Sequence, residues 1–157
     1  MKIATWNING VKARIDNLQT WLKESEPDIA CLQEIKSVDE GFPRLELEAL
    51  GYHVETHGQK GFNGVAILSR QSPDEVNRGL PGDDDDEQAR FIEAVFSVDG
   101  GIVRVASLYL PNGNPVDTPK FPYKLSWMDR LEAFAADRLA LEEPLVLAGD
   151  YNVIPEP

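Results

Sequence analysis

The apolar residues in the first third of the chain alternate between two spacings, and this alternation restricts the possible folds more than any other feature. Short continuous apolar runs at 3–6 and 28–33 are typical of buried strands. Between them, apolar residues recur at helical spacing until Pro27 ends the pattern. A short helical stretch then ends at Gly51. Strand, helix, strand and helix in this order predict an α/β protein.

From position 52 onward the pattern indicates mainly strands. We expect them at 52–56, 64–69, 90–98 and 102–110, with Asp-Gly-Gly at 99–101 forming a tight hairpin. A helix at 124–141 and a strand at 145–148 follow. The chain therefore predicts a mixed, largely antiparallel sheet with flanking helices.

The charge balance is strongly acidic, with 15 Lys and Arg against 27 Asp and Glu in 157 residues, a net charge of −12. This length fits one domain. Binding a polyanion requires Lys and Arg, but a binding face is local whereas net charge is a sum. Residues 83–87 are all acidic and predict a solvated loop rather than a metal site.

A single cysteine, Cys31, lies inside an apolar run and has no cysteine partner, which favours a reducing, cytoplasmic setting. No apolar run approaches 18 residues, so we expect no membrane-spanning segment.

Four polar residues end or directly follow apolar runs: Asn7, Glu34, Tyr109 and Asp150. Sites in open α/β sheets form at the carboxyl ends of strands, so these side chains converge if the strand ends share an edge. Asn9 and Asn152 follow two residues beyond. A set of oxygen and amide groups without His or Cys suits Mg²⁺ or Mn²⁺. Each residue alone also fits a turn, a solvated rim or a core aromatic role.

Six stretches together resemble the exonuclease III family of the endonuclease/exonuclease/phosphatase superfamily: 6–10, 32–36, 58–69, 109–113, 120–124 and 149–152. The resemblance covers the whole chain in order. It implies half of a four-layer α/β sandwich of the deoxyribonuclease I-like type. It also implies a Mg²⁺-dependent nuclease of DNA base-excision repair, with 3′→5′ exonuclease and abasic-site endonuclease activity on double-stranded DNA, for which Mn²⁺ can substitute as the metal.

The resemblance also implies roles for individual residues. Glu34 is the expected Mg²⁺ ligand, Asp150 the expected base for water, and Tyr109 the expected donor to a phosphate oxygen. Asn7 and Asn152 are expected to be catalytic as well, and the expected metal site comprises Glu34, Asn7, Asp150 and Asn152. The expected DNA contacts are Asn9, Lys60, Arg90, Asn112 and Lys124.

One departure from the family pattern concerns the end of the chain. In the family, further sequence supplies a second half of the fold, with a catalytic His paired with an Asp and additional acidic residues. We therefore expect 1–157 to be the N-terminal part of a single domain, with one sheet lacking its partner and a C-terminal half needed for a complete site. His53 and His57 match no catalytic position and are expected to be structural or surface residues.

Two alternatives stay open at this point. One keeps the superfamily but changes the substrate to an inositol phosphate or a phospholipid head group. The other is an inactive truncated chain that serves as a binding or assembly module.

Overall fold

The computed structural model describes all 157 residues and contains three α-helices and eight strands. The helices are α1 (Ile15–Ser25), α2 (Arg44–Glu48) and α3 (Lys120–Leu139). The strands are β1 (Ile3–Asn7), β2 (Ile29–Gln33), β3 (His53–His57), β4 (Val65–Ser69), β5 (Glu75–Arg78), β6 (Phe91–Val98), β7 (Gly101–Tyr109) and β8 (Leu145–Asp150).

The strands form two four-stranded sheets. Sheet A has the order β1-β2-β4-β3, and sheet B has the order β5-β6-β7-β8. One pair in each sheet is parallel, β1 with β2 and β7 with β8, whereas every other pair is antiparallel. The prediction of a largely antiparallel mixed fold is confirmed.

The two sheets pack face to face, with helices on both outer sides. Between the sheets, alternate residues of β2 and β4 such as Cys31 and Ile67 meet Ile92 and Phe96 of sheet B. On the outer side of sheet A, Leu18 of α1 packs with residues of β2 and β4. A third cluster joins α3 to the outer face of sheet B. The chain therefore contains four layers.

This arrangement corrects the expectation of a single sheet with an uncovered inner face. The expectation followed from the resemblance, taken to imply that each half of the fold gives one sheet. Sequence alternation could not correct it, because alternation shows which face of a strand is apolar but not which sheet the strand joins. Strands β6 and β7 turn their inner residues onto sheet A, so the inner face of sheet A is covered within these 157 residues.

A buried polar contact joins the two sheets near one end. The Gln33 amide of β2 donates to the Ser107 hydroxyl of β7 at 3.1 Å and to Thr5 of β1 at 3.0 Å. Ser107 in turn donates to the Leu32 carbonyl at 2.9 Å. Because these buried polar atoms have partners only at this register, they fix how the sheets lie on each other.

Most predicted elements are confirmed, but the start of one helix differs and one strand was not predicted. Helix α3 begins at Lys120, four residues before the predicted start, since Pro122 falls in the first helical turn where a missing N–H costs nothing. Strand β5 was not predicted because its sequence, Glu-Val-Asn-Arg, is polar at three of four positions. It lies at the edge of sheet B, where polar side chains are tolerated.

The acidic segment 83–87 is a solvated loop at four of its five positions, and Asp86 is the exception. The Asp86 side chain is only 6% exposed and accepts hydrogen bonds at 2.8 Å from both Arg130 and the Tyr123 hydroxyl. Although burial would raise its pKa, hydrogen bonds from Arg130, the Gln88 N–H and Tyr123 bring the pKa of Asp86 below its usual value.

A second buried ion-pair network lies between sheet B and the end of α3. Glu93 of β6 is 1% exposed, and its carboxylate pairs with Arg138 of α3 at 2.7 Å and with Arg104 of β7 at 3.5 Å. Arg104 also approaches Glu143 at 3.5 Å. A buried carboxylate between two guanidinium groups has its charge balanced by protein alone.

No helix has the length and apolar composition needed to cross a membrane. Cys31 is a free, buried thiol, and burial raises its pKa to about 12. It is therefore a core residue without the thiolate character of a reactive cysteine.

Candidate active site at the adjoining sheet edges

The predicted site residues lie where β1 and β8 end side by side. These are edge strands of different sheets, and each belongs to a parallel pair. Asn7 is the last residue of β1, and Asp150 is the last residue of β8, in register with Tyr109 of β7. Glu34 follows β2 by one residue. The predicted convergence at the carboxyl ends of strands is confirmed.

The Asn7 side-chain amide joins the two carboxylates. Its nitrogen donates to Glu34 Oε2 at 2.7 Å and to Asp150 Oδ2 at 2.9 Å. Its oxygen accepts the backbone N–H of Asn9 at 3.1 Å. In this orientation Asn7 positions the carboxylates, while its role as a metal ligand stays a prediction.

Glu34 has a left-handed backbone conformation, with φ of +52°, which residues other than glycine rarely adopt. Such a left-handed conformation costs about 1 kcal/mol or more and persists only where surrounding structure enforces it. Here Gly10 N–H donates to the Glu34 carbonyl at 2.8 Å, and Ile35 N–H donates to the Gly64 carbonyl at 3.1 Å. Gly64 is required, since a Cβ there would lie 2.5 Å from Cγ1 of Ile35. Two loops therefore hold Glu34 in its strained position.

Asp150 is placed by an unusually close approach of two strands. A Cβ on Gly149 would lie 2.0 Å from the Leu108 carbonyl oxygen, so only glycine fits beside Asp150. Beyond it, Asn152 N–H donates to Asp150 Oδ1 at 3.0 Å, and the Asn152 amide donates to the Leu110 carbonyl at 2.7 Å. The short Gly-Asp-x-Asn segment thus fixes its own aspartate.

Tyr109 is a buried residue whose phenol lies near Glu34. Burial, followed by hydrogen bonding to Glu34 and the charge of Glu34, raises the pKa of Tyr109 to about 12. The phenol is therefore protonated at neutral pH, and its hydroxyl is available as a hydrogen-bond donor.

The two carboxylates have no cationic partner. No Lys, Arg or His nitrogen lies within 4 Å of Glu34 or Asp150, and no cluster of three or more His, Cys, Asp or Glu side chains surrounds them. Mg²⁺ binds proteins through one or two carboxylates and completes its octahedron with water and substrate oxygens. Two carboxylates with oxygen-rich neighbours fit this ion, and the roles of Glu34 and Asp150 as its ligands stay a prediction.

A cleft of about 490 Å³ opens beside these residues and has a basic rim. Glu34 and Tyr109 line it together with two predicted DNA contacts, Arg90 and Asn112, whereas Asn7, Asp150 and Asn152 line a neighbouring cleft that shares Asn112. Lys60 is exposed on the loop whose neighbours Gln59 and Gly61 line the cleft.

The remaining predicted DNA contacts, Asn9 and Lys124, make hydrogen bonds within the protein. Asn9 accepts Lys36 Nζ at 2.5 Å on its side chain and Arg14 on its carbonyl. Lys124 donates to the Asn152 carbonyl at 2.8 Å. DNA contact by any of these residues stays a prediction.

Two cationic residues of the cleft are not among the residues predicted from the sequence. Lys36 and Lys120 both line it. Lys36 lies two residues after Glu34, and Lys120 is the first residue of α3. Their signal was present, because both belong to the stretches 32–36 and 120–124 that carried the family resemblance.

Both histidines lie away from the site, as expected. They are on β3, which is the opposite edge of sheet A from β1. His57 is half-buried, and burial lowers its pKa despite the nearby charge of Asp39.

Two packed sheets, outer helices and a polar site at adjoining strand ends define a class of α/β sandwich proteins. Residues 4–157 match the model of the Endonuclease/Exonuclease/phosphatase family. The chain belongs to this family.

Individual relatives are similar along the whole chain. It is 39% identical over 156 residues to exodeoxyribonuclease III of Haemophilus influenzae, which covers 99% of the chain and 58% of that protein. Among solved structures, a 3′ phosphatase from Neisseria bound to a product DNA hairpin is 43% identical, with a TM-score of 0.92 over 99% of the chain and 59% of that structure. An AP endonuclease from Archaeoglobus fulgidus is 40% identical, with a TM-score of 0.90 over 100% and 59% respectively. The chain thus spans somewhat less than 60% of the length of these relatives.

Proposed function

We propose that this protein acts as a Mg²⁺-dependent phosphodiesterase of DNA base-excision repair, with 3′→5′ exonuclease and abasic-site endonuclease activity on double-stranded DNA, including abasic or 3′-blocked ends. One observation carries the proposal. Two carboxylates without a cationic partner are joined by the Asn7 amide beside a cleft with a basic rim. The similarity to an exodeoxyribonuclease III and to an AP endonuclease supports the substrate class.

The chemistry of phosphodiester cleavage explains why such a site is needed. The substrate is an anion that repels hydroxide, so hydrolysis needs a positioned base, a Lewis acid and donors for the developing oxyanion. Mg²⁺ or Mn²⁺, when bound, supplies the Lewis acid. Glu34 and Asp150 would hold the cation.

The chain's own residues would accept the proton of the attacking water and stabilise the negative charge on the phosphate. Asp150 would accept a proton from the attacking water as the new P–O bond forms and the bond to the leaving sugar oxygen breaks. The Tyr109 hydroxyl and the Asn152 amide would donate to phosphate oxygens. The high pKa of Tyr109 suits this role, since the phenol stays protonated throughout.

The cleft provides contacts for the charged backbone of DNA. Lys36 and Lys120 line it, and Lys60 is exposed nearby. Phosphate contacts from such cations position a duplex without reading its sequence. The net charge of −12 does not oppose this function, because much of it lies in the acidic loop and in the two candidate metal ligands.

The proposal includes two further parts. The chain would be the N-terminal part of one domain, and residues outside this sequence would add the catalytic His and Asp that the resemblance implies, since His53 and His57 lie on the far edge of sheet A. The lone buried Cys31 favours a reducing, cytoplasmic setting.

One assay tests the activity. The 157-residue chain and a form extended to the next stop codon of its gene are each incubated with duplex DNA bearing an abasic site, with Mg²⁺ or with EDTA. Cleavage that requires Mg²⁺ supports the proposal, and cleavage by the extended form alone supports a site completed by further residues. No cleavage by either form, with turnover of a phosphoinositide instead, would refute it.

A further inference from the structure

Arg90 occupies an unusual position between two tyrosine rings. Its guanidinium carbon lies 4.9 Å from the ring centre of Tyr109 and 5.8 Å from that of Tyr123. It also donates to Gln88 Oε1 at 2.7 Å and to the Tyr109 carbonyl at 3.2 Å. Cations at these distances from aromatic faces are attracted by the ring quadrupole. Arg90 therefore contacts both the ring and the backbone of Tyr109.

Tyr123, on the other side of Arg90, is itself anchored. Its hydroxyl donates to Asp86 Oδ2 at 2.8 Å, and Arg130 donates to the same oxygen at 2.8 Å. Arg130 also holds the start of the acidic loop through the carbonyls of Leu80, at 2.6 Å, and Pro81, at 3.2 Å. Asp86 of the acidic loop is thus fixed to α3 through Tyr123, the residue whose ring lies near Arg90.

These contacts form a continuous chain that ends at the candidate catalytic phenol. The order is Asp86, Tyr123, Arg90 and Tyr109, and Tyr109 lines the same cleft as Glu34. We propose that Asp86, Tyr123 and Arg90 are positioning residues that hold the Tyr109 phenol at the phosphate site. This inference rests on the proposed function, because it assigns these residues to a step in which Tyr109 contacts substrate.

The competing interpretation is that Arg90 binds a DNA phosphate directly, since it also lines the cleft. The two interpretations predict different kinetic effects. A phosphate contact contributes to substrate binding, so its loss raises KM, and lysine partly replaces arginine as a point charge. A positioning residue acts through Tyr109, so its loss lowers kcat, and lysine, without a planar face, does not restore it.

Tyr123→Phe tests the inference because it removes only the hydroxyl that joins Asp86 and keeps the ring over Arg90. Tyr52→Phe is the matched control. Tyr52 also donates one buried hydroxyl hydrogen bond, to the Pro27 carbonyl at 2.7 Å, and it precedes β3, at the far edge of sheet A. In the form of the protein that cleaves DNA, Tyr123→Phe should lower kcat by roughly 3- to 10-fold with KM within about twofold, as expected for one hydrogen bond. Tyr52→Phe should leave both constants within about twofold.

A double-mutant cycle shows whether the effect passes through Tyr109. In a Tyr109→Phe background, Tyr123→Phe should cause less than about twofold further loss of kcat, because the phenol that it positions is gone. An equal loss of kcat in both backgrounds would overturn the inference. So would a kcat in Arg90→Lys close to that of the parent, if Arg90→Met has lost it.

A second measurement does not depend on activity. With ¹³C-labelled tyrosine rings, the NMR signals of Tyr109 should shift in Tyr123→Phe and remain unchanged in Tyr52→Phe. If no form of the protein cleaves DNA, the proposed function fails, while these spectra still decide the inference. Unchanged Tyr109 signals in Tyr123→Phe would overturn it.

Discussion

The molecule contains two carboxylate clusters beside strands, and they differ in how their charge is balanced. Glu93 lies buried between Arg104 and Arg138, so protein alone neutralises it. Glu34 and Asp150 share a neutral amide from Asn7 and have no cation within salt-bridge distance.

This difference separates a structural role from a chemical one. A carboxylate whose charge is already balanced by arginine is a poor ligand for a metal ion. Two unpaired carboxylates repel each other until a cation binds, so the fold maintains them at a cost in stability. We therefore expect substitutions at the two clusters to affect different properties.

The largest effect should come from Asp150→Asn, which removes the proposed base and one anionic metal ligand. Cleavage of abasic duplex DNA should fall by about 10³-fold, within the range for loss of general-base catalysis. Stability should stay the same or rise slightly, since the change removes repulsion from Glu34. The measurements are single-turnover cleavage and urea unfolding.

The control for this substitution is Asp84→Asn in the exposed acidic loop, which should leave cleavage unchanged. Full activity in Asp150→Asn would show that Glu34 and Asp150 are not the reaction centre, and loss of folding would contradict the expectation that Asp150 does not stabilise the fold.

Glu93→Ala should have the opposite signature. It leaves Arg104 and Arg138 buried without their counterion, and breaking a buried pair in this way costs about 3–5 kcal/mol. Urea unfolding measures this loss, with Glu87→Ala as the exposed control, expected to change stability by less than about 0.5 kcal/mol. A Glu93→Ala protein as stable as the parent would contradict the structural role.

Mg²⁺ should stabilise the folded protein through the unpaired cluster alone. At a Mg²⁺ concentration ten times Kd, binding contributes about 1.4 kcal/mol. For a chain of this size, that raises Tm by roughly 3–6 °C. Differential scanning fluorimetry with NaCl at equal ionic strength as the reference measures the shift. Glu34→Gln should abolish it and Glu93→Gln should not, whereas an equal shift in both variants would place the ion elsewhere.

The smallest effect concerns Asp86 and acid. Its pKa in the folded protein lies below its ordinary value of 3.8, so the unfolded chain takes up its proton first as the pH falls. The stability that Asp86 contributes is complete above that ordinary value and is lost as the pH falls through the folded pKa. In Asp86→Asn, the decline of stability below pH 4 should be shallower than in the parent. Parallel curves for the two proteins would exclude this contribution.

The local pattern of residues was sufficient to predict most elements and the convergence of the site. The apolar runs ending in Asn7 and Glu34, and the Gly-Asp-x-Asn segment, mark strand ends directly, because strand alternation and turn residues are local properties. The family resemblance added the proposed roles of these residues.

The long-range arrangement could not be predicted from local pattern. The assignment of β6 and β7 to a second sheet depends on which faces meet, and β5 has no apolar alternation. The burial of Asp86 depends on Arg130, which is 44 residues away. Its four acidic neighbours predict solvent exposure, and only the tertiary fold distinguishes Asp86 from them.

The candidate site also spans the seam between the two sheets. Asn7 belongs to sheet A and Asp150 to sheet B, so the 2.9 Å contact between their side chains depends on how the sheets lie on each other. A slip of about one ångström between the sheets would separate these groups while every hydrogen bond within each sheet stayed intact. On heating, the protein should therefore lose its site before it loses its secondary structure.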